Sequence, residues 1–431
     1  MNTLFMNALV KYSLLGSMLM TQFVDAKSIA IVGAKVHTMS SQGTVDNATV
    51  LIKNGKIQRV IQGESSLAGY EVIDAKGKVV TPGLIGAITS LGLVDVGFSA
   101  GTNDSNSSLT SISKSGAAFD VSYAINPDSS LMAIARIEGV TSAASSMGRT
   151  GQLFNGQGAL ISLSDISDPV IQARAFISTR VGNSGADTVG GSRSVLWVSL
   201  EKALAEAKFA IGKSLTPSDE WHGEMSRADI AALIPVVKGE IPLLVDARRA
   251  ADIRQVIALK QRQPELNIVI TYATEGWRVA KELADNKIPV ILDPEANLPF
   301  GFDQLGSTLK NAGRLAAAGV RVSIGMETHN IRLARQHAGN AVANGLSWEQ
   351  GLAALTINVA KLYGIDDKLG SLEAGKLADV VIWSGDPLEV TEAAEMVLIA
   401  GEPVEMLSRQ SKLRDRYLKL QTDKPMQYVR P

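Results

Sequence analysis

Residues 78–92 read KVVTPGLIGAITSLG, and the organisation of the rest of the chain follows from them. An apolar run is broken by Pro82-Gly83 and then continues through small residues to Gly92. Side chains two apart on a strand point to the same face, so Ile88 and Ser90 share one side near the end of this run. At the lumenal end of a barrel strand, two such positions converge on one point. Here that point receives an aliphatic group and a hydroxyl.

Outward from this stretch, residues 28–80 read as short alternating strands separated by turn residues: SIAIVGAKVHTM, then ATVLIKNGKIQRVI, then YEVIDAKGKVV. Asn54-Gly55 between two alternating apolar runs predicts a hairpin. So small a β unit is not stable alone. Its partner is expected at the other end of the chain, where KLADVVIWSG and AEMVLIAGEPVEML supply further strands. Between these flanks, β-type runs at 140–145, 159–162, 241–245, 267–272, 288–292 and 320–324 alternate with helical runs at 196–211, 251–263, 276–286 and 309–318. Strands regularly separated by helical patterns predict a parallel sheet, and the length suits a (β/α)8 barrel, typically about 250 residues. Ser347 and Gln350 form a capping box opening a final helix through Leu362. Residues 101–116, rich in Ser, Asn, Thr and Gly, read as a long loop over the face where functional loops of a barrel stand.

The totals exclude several functions. A chain of 431 residues, 45% hydrophobic, buries a large core and is expected to hold two or three structural units. Net charge is -1, with no basic stripe to bind nucleic acid. There is no cysteine, which removes disulfides, thiolate nucleophiles and Cys-based zinc sites together. Lys11, an apolar stretch over 12–24 and Val24-Asp25-Ala26 follow the order of a secretory signal peptide, with cleavage expected after Ala26. The apolar run is shorter than the ~20 residues that span a bilayer. The mature protein is therefore expected in an exported compartment, most simply a periplasm, without a membrane anchor. The expected organisation is 1–26 signal peptide, 27–80 first part of a β-sandwich, 81–369 barrel, 370–406 second part of the sandwich, and 407–431 C-terminal tail.

The TPGLI frame, AINPDSS (124–130), GQGALISL (156–163), ARRAADI (247–253), TEGWRVAKELADNKIPVIL (274–292) and LTINVAKLYGIDDKLGSLEAGKLADVVIWSGDP (355–387) together resemble the imidazolonepropionase-related amidohydrolases. The last segment is the most specific: helix, glycine turn, then G-x-L-E-x-G-K-x-A-D, which in the family returns the chain to its N-terminal β unit. The resemblance implies a TIM-like barrel with a small β-sandwich formed by both flanks, and hydrolysis of non-peptide C–N bonds. It also implies a centre of one or two divalent metals that activates water, with an Asp after strand eight as proton shuttle.

That centre is not legible in this chain. The first strand of the family reads T-P-G-L-I-D-x-H-x-H; here Ile88 and Ser90 stand at the histidines and Gly86 at the acid. In the fifth-strand motif, similar to H-A-H-R-A-D-D-I, this chain has Asp246-Ala247-Arg248, and in the sixth, similar to E-H-G-T-E, Tyr272 takes the ligand position. Glu327 stands where the shuttle Asp would be. Of the four histidines, His37 and His337 read as surface or packing residues. His222 and His329 are the two that could overhang the barrel mouth, and a metal such as zinc is expected only if they rebuild a site. Otherwise no cofactor is expected. Asp246 and Glu327, with Tyr272 and Arg248, admit metal-free acid–base chemistry; the simpler reading is that Arg248 neutralises a carboxylate where a metal would carry the positive charge.

Three functions follow: an exported amidohydrolase-like protein, catalytically weakened or inactive, that binds a small-molecule ligand or a partner; an active hydrolase with an altered or metal-free site using Glu327 and Asp246; or a structural subunit of an active relative. The partners expected are a small molecule, further copies of the chain, or that relative.

Overall fold

The computed structural model describes residues 28–63, 66–96, 103–107, 116–218, 220–325 and 329–418. The expected signal peptide, most of the loop at 101–116, and Glu327 lie outside the described residues. Among the described residues no helix is long and apolar enough to cross a membrane.

The two flanks meet in one continuous eight-stranded sheet. Asn54 and Gly55 both adopt left-handed backbone, φ 55° and 72°, and close the hairpin between Thr44–Lys53 and Lys56–Gln62. This is the twist-matched two-residue turn for which Asn-Gly is favoured. Ser28–His37 pairs antiparallel with Thr44–Lys53 and, along its other edge, parallel with Glu71–Asp74 and then Val79–Pro82. The C-terminal contribution enters next: Val380–Trp383 lies antiparallel to Val79–Pro82, followed by Ala394–Ile399 and Glu402–Pro403. Ile29, Ile31, Val50, Ile52, Val80, Val380, Ile382 and Leu398 form its core. Trp383 is fully buried, donates from Nε1 to Thr81 Oγ1 at 2.9 Å, and faces Gly139, where a Cβ would fall 2.5 Å from its ring. It thereby wedges the sheet against the barrel.

The barrel has eight strands arranged in chain order: Leu84–Thr89, Val140–Ser145, Phe154–Ser162, Val170–Arg180, Leu243–Ala247, Ile268–Tyr272, Val290–Leu292 and Val322–Ile324. Seven run parallel. The third, Phe154–Ser162, runs antiparallel to both neighbours, so it and Val170–Arg180 form a hairpin where a wholly parallel sheet was predicted. The physical reason is the short connection at 163–169, which is too short for a crossover helix. Strands one and eight close through an intermediary, because Ile85 N–H donates to Leu355 O at 2.8 Å and Ile324 N–H to Ala354 O at 3.0 Å. Those carbonyls are thereby withdrawn from helical bonding. The final helix predicted to start at Ser347 accordingly splits into Trp348–Ala353, capped by Ser347 Oγ, and Ile357–Tyr363. Within the C-terminal tail, Arg409–Leu418 is helical.

Candidate functional site at the barrel mouth

Register places the site. Arg180 pairs with Asp246, Asp246 with Thr271, and Thr271 with Ile291, so the ends of strands four to seven form one layer at the C-terminal mouth. This is the face on which barrels carry their functional groups. Asp246 is 7% exposed, and its two oxygens accept from Arg248 Nε at 2.9 Å and Nη2 at 3.0 Å. This is the fork geometry in which guanidinium and carboxylate match best. The same guanidinium lies over the Tyr272 ring, with Cζ 3.9 Å from the centroid. Tyr272 has φ +64° and Ala273 φ +40°, and Ala273 N–H donates to Thr271 O at 2.9 Å. Tyr272 is thus the central residue of a tight γ-turn, a strained conformation that costs on the order of 1–3 kcal/mol and that clusters at functional sites.

Three of the residues singled out in sequence therefore come together: Asp246, Arg248 and Tyr272. Ile88 does not join them. A bulge between Gly86 and Thr89 turns it into the apolar cluster that contains Leu244, Val269 and Ile291. Ser90 is buried at the turn after strand one, where its carbonyl accepts from Leu93 N–H at 3.0 Å.

His222 does not overhang the mouth. The helix Arg193–Phe209 begins at the mouth, where Arg193 holds Asp252 and Asp303, and ends where Lys208 meets Glu265, ahead of the sixth strand. Glu206, in its last turn, accepts from the backbone of Glu224 and Met225 at 3.0 and 3.1 Å. The Trp221–Met225 loop is thus tied to the opposite end of the barrel, with the His222 side chain 89% exposed. His329 is half-buried, and burial, reinforced by the Arg332 charge, holds its imidazole below the ordinary range. His37 is buried against Trp348, ring centroids 4.4 Å apart, and bonded to Thr44 Oγ1 at 2.8 Å. His337 is buried 3.5 Å from Glu295.

The described residues do not fit the divalent metal that the family implies. Of the positions matching its ligands, one is aliphatic, one is a buried hydroxyl, and one is a phenol beneath a guanidinium. The fourth, Asp246, has both oxygens committed to Arg248. A cation there would have to displace Arg248 and then sit beside its charge. Among the described residues no three His, Cys, Asp or Glu side chains are grouped to hold a metal.

A cavity of about 450 Å³ opens directly above this cluster, lined on one side by Arg180, Asp246 and Arg248 and on the other by Phe300, Phe302 and Asp303. Arg180 was not singled out in the sequence; its Nη2 donates to Asn155 Oδ1 at 2.7 Å and Thr150 O at 3.4 Å, which orients it at the cavity edge. Phe300 to Asp303, also unanticipated, belong to the segment after strand seven, which is held at several points. Asp303 accepts from Arg193 Nη2 at 2.6 Å and Asn183 N–H at 2.8 Å. Gly306 donates its N–H to Glu275 Oε1 at 2.8 Å and accepts from Trp277 Nε1 at 2.8 Å. Glu275, 2% exposed, also accepts from Ala250 N–H and Arg278, and so ties together the segments after strands five, six and seven. The sequence signal for this wall was PFGF, residues 299–302, an aromatic pair in an otherwise polar connection.

Against known proteins, a sequence profile of the amidohydrolase family matches residues 263–408. The chain is 40% identical over 97 residues to an imidazolonepropionase of Aromatoleum aromaticum, covering 21% of this chain and 23% of that protein. It is 31% identical over 112 residues to a 5-methylthioadenosine/S-adenosylhomocysteine deaminase of Moorella thermoacetica, covering 23% and 25%. The matched segments thus span about a quarter of these relatives' lengths. The structure of an amidohydrolase from Thermotoga maritima MSB8 superposes with a TM-score of 0.77 at 25% identity, covering 88% of this chain and 100% of that one. Profile, relatives and superposed barrel all point to the amidohydrolase superfamily.

Proposed function

We propose that this is an exported amidohydrolase-superfamily protein that binds a small molecule at the barrel mouth and has little or no hydrolytic activity. The observation that carries the reading is the Asp246–Arg248–Tyr272 stack, in which a guanidinium engages both Asp246 oxygens and lies over the phenol ring. A metal in this fold lowers the pKa of bound water and polarises a carbonyl. Guanidinium supplies positive charge and directional N–H donors and remains protonated at all accessible pH values. It therefore orients a ligand oxygen but generates no hydroxide. Both Asp246 oxygens accept from Arg248, so neither is directed at a water or a substrate proton, which argues against the metal-free hydrolase built on Asp246 and Glu327. A structural role beside an active relative remains compatible with a binding mouth; co-purification with such a relative is the sign to look for.

The test is made on protein recovered from the exported fraction, with intact mass checked for a chain beginning at Lys27. Metal content after growth in zinc, manganese and iron is expected well below one equivalent per chain, and cyclic amides and N-acyl amino acids are expected to remain intact. Stoichiometric metal surviving dialysis, together with chelator-sensitive hydrolysis, overturns the reading.

A further inference from the structure

The chain as a whole is near neutral, but its charge is unevenly placed. Residues 409–431 hold seven Lys and Arg against two Asp, so they carry +5 while the rest of the chain carries -6. The described part of this tail, Arg409–Leu418, is a ten-residue helix. Its start is fixed by Ser408, which is buried, accepts at Oγ from Ser411 N–H at 3.2 Å and accepts at its carbonyl from Lys412 N–H at 3.0 Å. Beyond that point none of the helix is buried among the described residues, and Leu413, Tyr417 and Leu418 are 37%, 72% and 72% exposed. A helix this short is marginal in water on its own, and most helices gain their stability by packing an apolar face. This one carries such a face and leaves it in solvent.

The order of residues around the helix narrows what would cover that face. At about 3.6 residues per turn, Leu413 and Tyr417 lie one above the other, with Lys412 and Arg416 to one side, Arg414 to the other and Asp415 on the back. Arg414 is paired with Asp415 at 2.8 Å, and Arg416 lies over the Tyr417 ring. The field of an anionic surface acts on the sum of these charges, +3 over the helix, and needs no uncommitted donor. A soluble polyanion such as nucleic acid would reward the cations and leave the Leu413–Tyr417 stripe in water. A second copy of the helix would cover the stripe but set cations against cations. The interface of an anionic bilayer rewards both, since Leu and Tyr enter its headgroup region while Lys and Arg reach its phosphates.

We infer that Arg409–Leu418 binds anionic phospholipid membranes, lying in the headgroup plane rather than crossing it, and holds the barrel at that surface. This goes beyond the reading of the barrel mouth and stands whether or not the mouth binds or hydrolyses a small molecule.

The experiment is flotation of the full-length mature protein with vesicles of phosphatidylcholine, alone or with about one third phosphatidylglycerol. The anionic vesicles are expected to be bound about tenfold or more tightly than the neutral ones, and salt at about 0.5 M should remove most of that difference. Arg409→Gln/Lys412→Gln should weaken binding to the anionic vesicles by about tenfold. Leu413→Gln/Tyr417→Gln, which keeps the charge and the helix propensity, should weaken it by a similar factor. Both variants are expected to keep the wild-type urea midpoint; a lowered midpoint would mean that the helix packs on the body of the protein, and overturns the inference. Equal binding to both kinds of vesicle, indifference to either variant, or binding to a DNA duplex as tight as to the anionic vesicles overturns it too. So does a change of oligomeric state in Leu413→Gln/Tyr417→Gln, which would assign the stripe to a contact between copies of the chain.

Discussion

The lower interior of the barrel and its mouth are built from the same strands, two residues apart, and obey different rules. In the lower layers Gly158 lies against the Phe176 ring so closely that a Cβ would fall 1.9 Å from Cζ. Phe176 in turn meets Tyr363, centroids 5.2 Å apart, and the Tyr363 hydroxyl donates to Ala87 O at 2.5 Å. Burial drives that phenol well above its ordinary range, so it stays a neutral donor. One step up each strand, Leu244 gives way to Asp246 and Val269 to Thr271, and charge pairs, a strained turn and open space take over. Below, shape is fixed by packing; above, on the same strands, charged and polar groups take over.

That contrast predicts where substitutions hurt. The largest effect should come from Phe176→Ala, which empties a ring-sized volume that Gly158 cannot fill. A loss of about 3–5 kcal/mol is expected, read as a lower urea midpoint with unchanged cooperativity. A loss under about 1 kcal/mol would mean that the lower interior is no better packed than the mouth.

Next in size is a pH effect at the seam between sheet and barrel. Asp379 is buried, its Oδ1 accepting from Ala400 N–H at 2.8 Å, and burial pushes its carboxyl up to about 6. The folded value exceeds the unfolded one, so the folded chain holds the proton more tightly. The stability this contributes is fully present below about pH 4 and is lost as pH rises through about 6, a swing of about 3 kcal/mol. His37 runs the other way: burial, then the Lys35 charge, lowers its imidazole to about 4. Its contribution is full above about pH 6.5 and disappears as pH falls through about 4. Asp379→Asn removes one arm of this balance. Relative to the wild type, the variant should be more stable at pH 7.5 than at pH 4.5 by about 2–3 kcal/mol. A difference that does not move with pH would show that Asp379 is ionised throughout.

At the mouth, Arg248→Gln leaves a nearly buried carboxylate without its partner, and about 1–3 kcal/mol should be lost. Asp246→Asn combined with Arg248→Gln should cost less than the sum of the two single changes, because each single variant strands the other group. Additive losses would mean that the pair is not a unit.

The same division explains what the sequence disclosed. The fold was legible because its motif residues serve the backbone. Gly370 adopts φ +88° where a Cβ would meet Ala360 Cβ at 2.7 Å, Gly375 N–H donates to Ile57 O, and Asp379 caps Ala400, so those identities are fixed by geometry. The reversal of the third strand escaped notice because alternation reveals a strand but not its direction. At the site, Asp246, Arg248 and Tyr272 were found because they occupy positions at strand ends where a family motif aligns. Arg180 was missed because it carries no local pattern, and Phe300 because the aromatic pair of PFGF does not by itself say what it faces; the two meet only through the closure of the barrel. His222 was misplaced because loop residues 211–226 carry no period from which to read which end of the barrel they serve.

The smallest predicted effect is the sharpest test of the comparison. Phe300 packs on nothing that burial can reward, while the segment that bears it is fixed by Asp303 and Gly306 through backbone and ion-pair contacts. Phe300→Ser should therefore change stability by no more than about 0.5 kcal/mol. Asp303→Asn, although it removes no apolar surface, should cost more, because Arg193 would lose one of its two carboxylates and the Asn183 N–H would face a weaker acceptor. This order, polar anchor above aromatic ring, is the reverse of that in the lower interior, where Phe176 outweighs any hydrogen bond. It can be read from urea midpoints of the two variants side by side. If Phe300→Ser proves the more damaging, the ring is buried against some part of the protein in solution, and the distinction between a packed interior and a mouth held open by polar contacts fails.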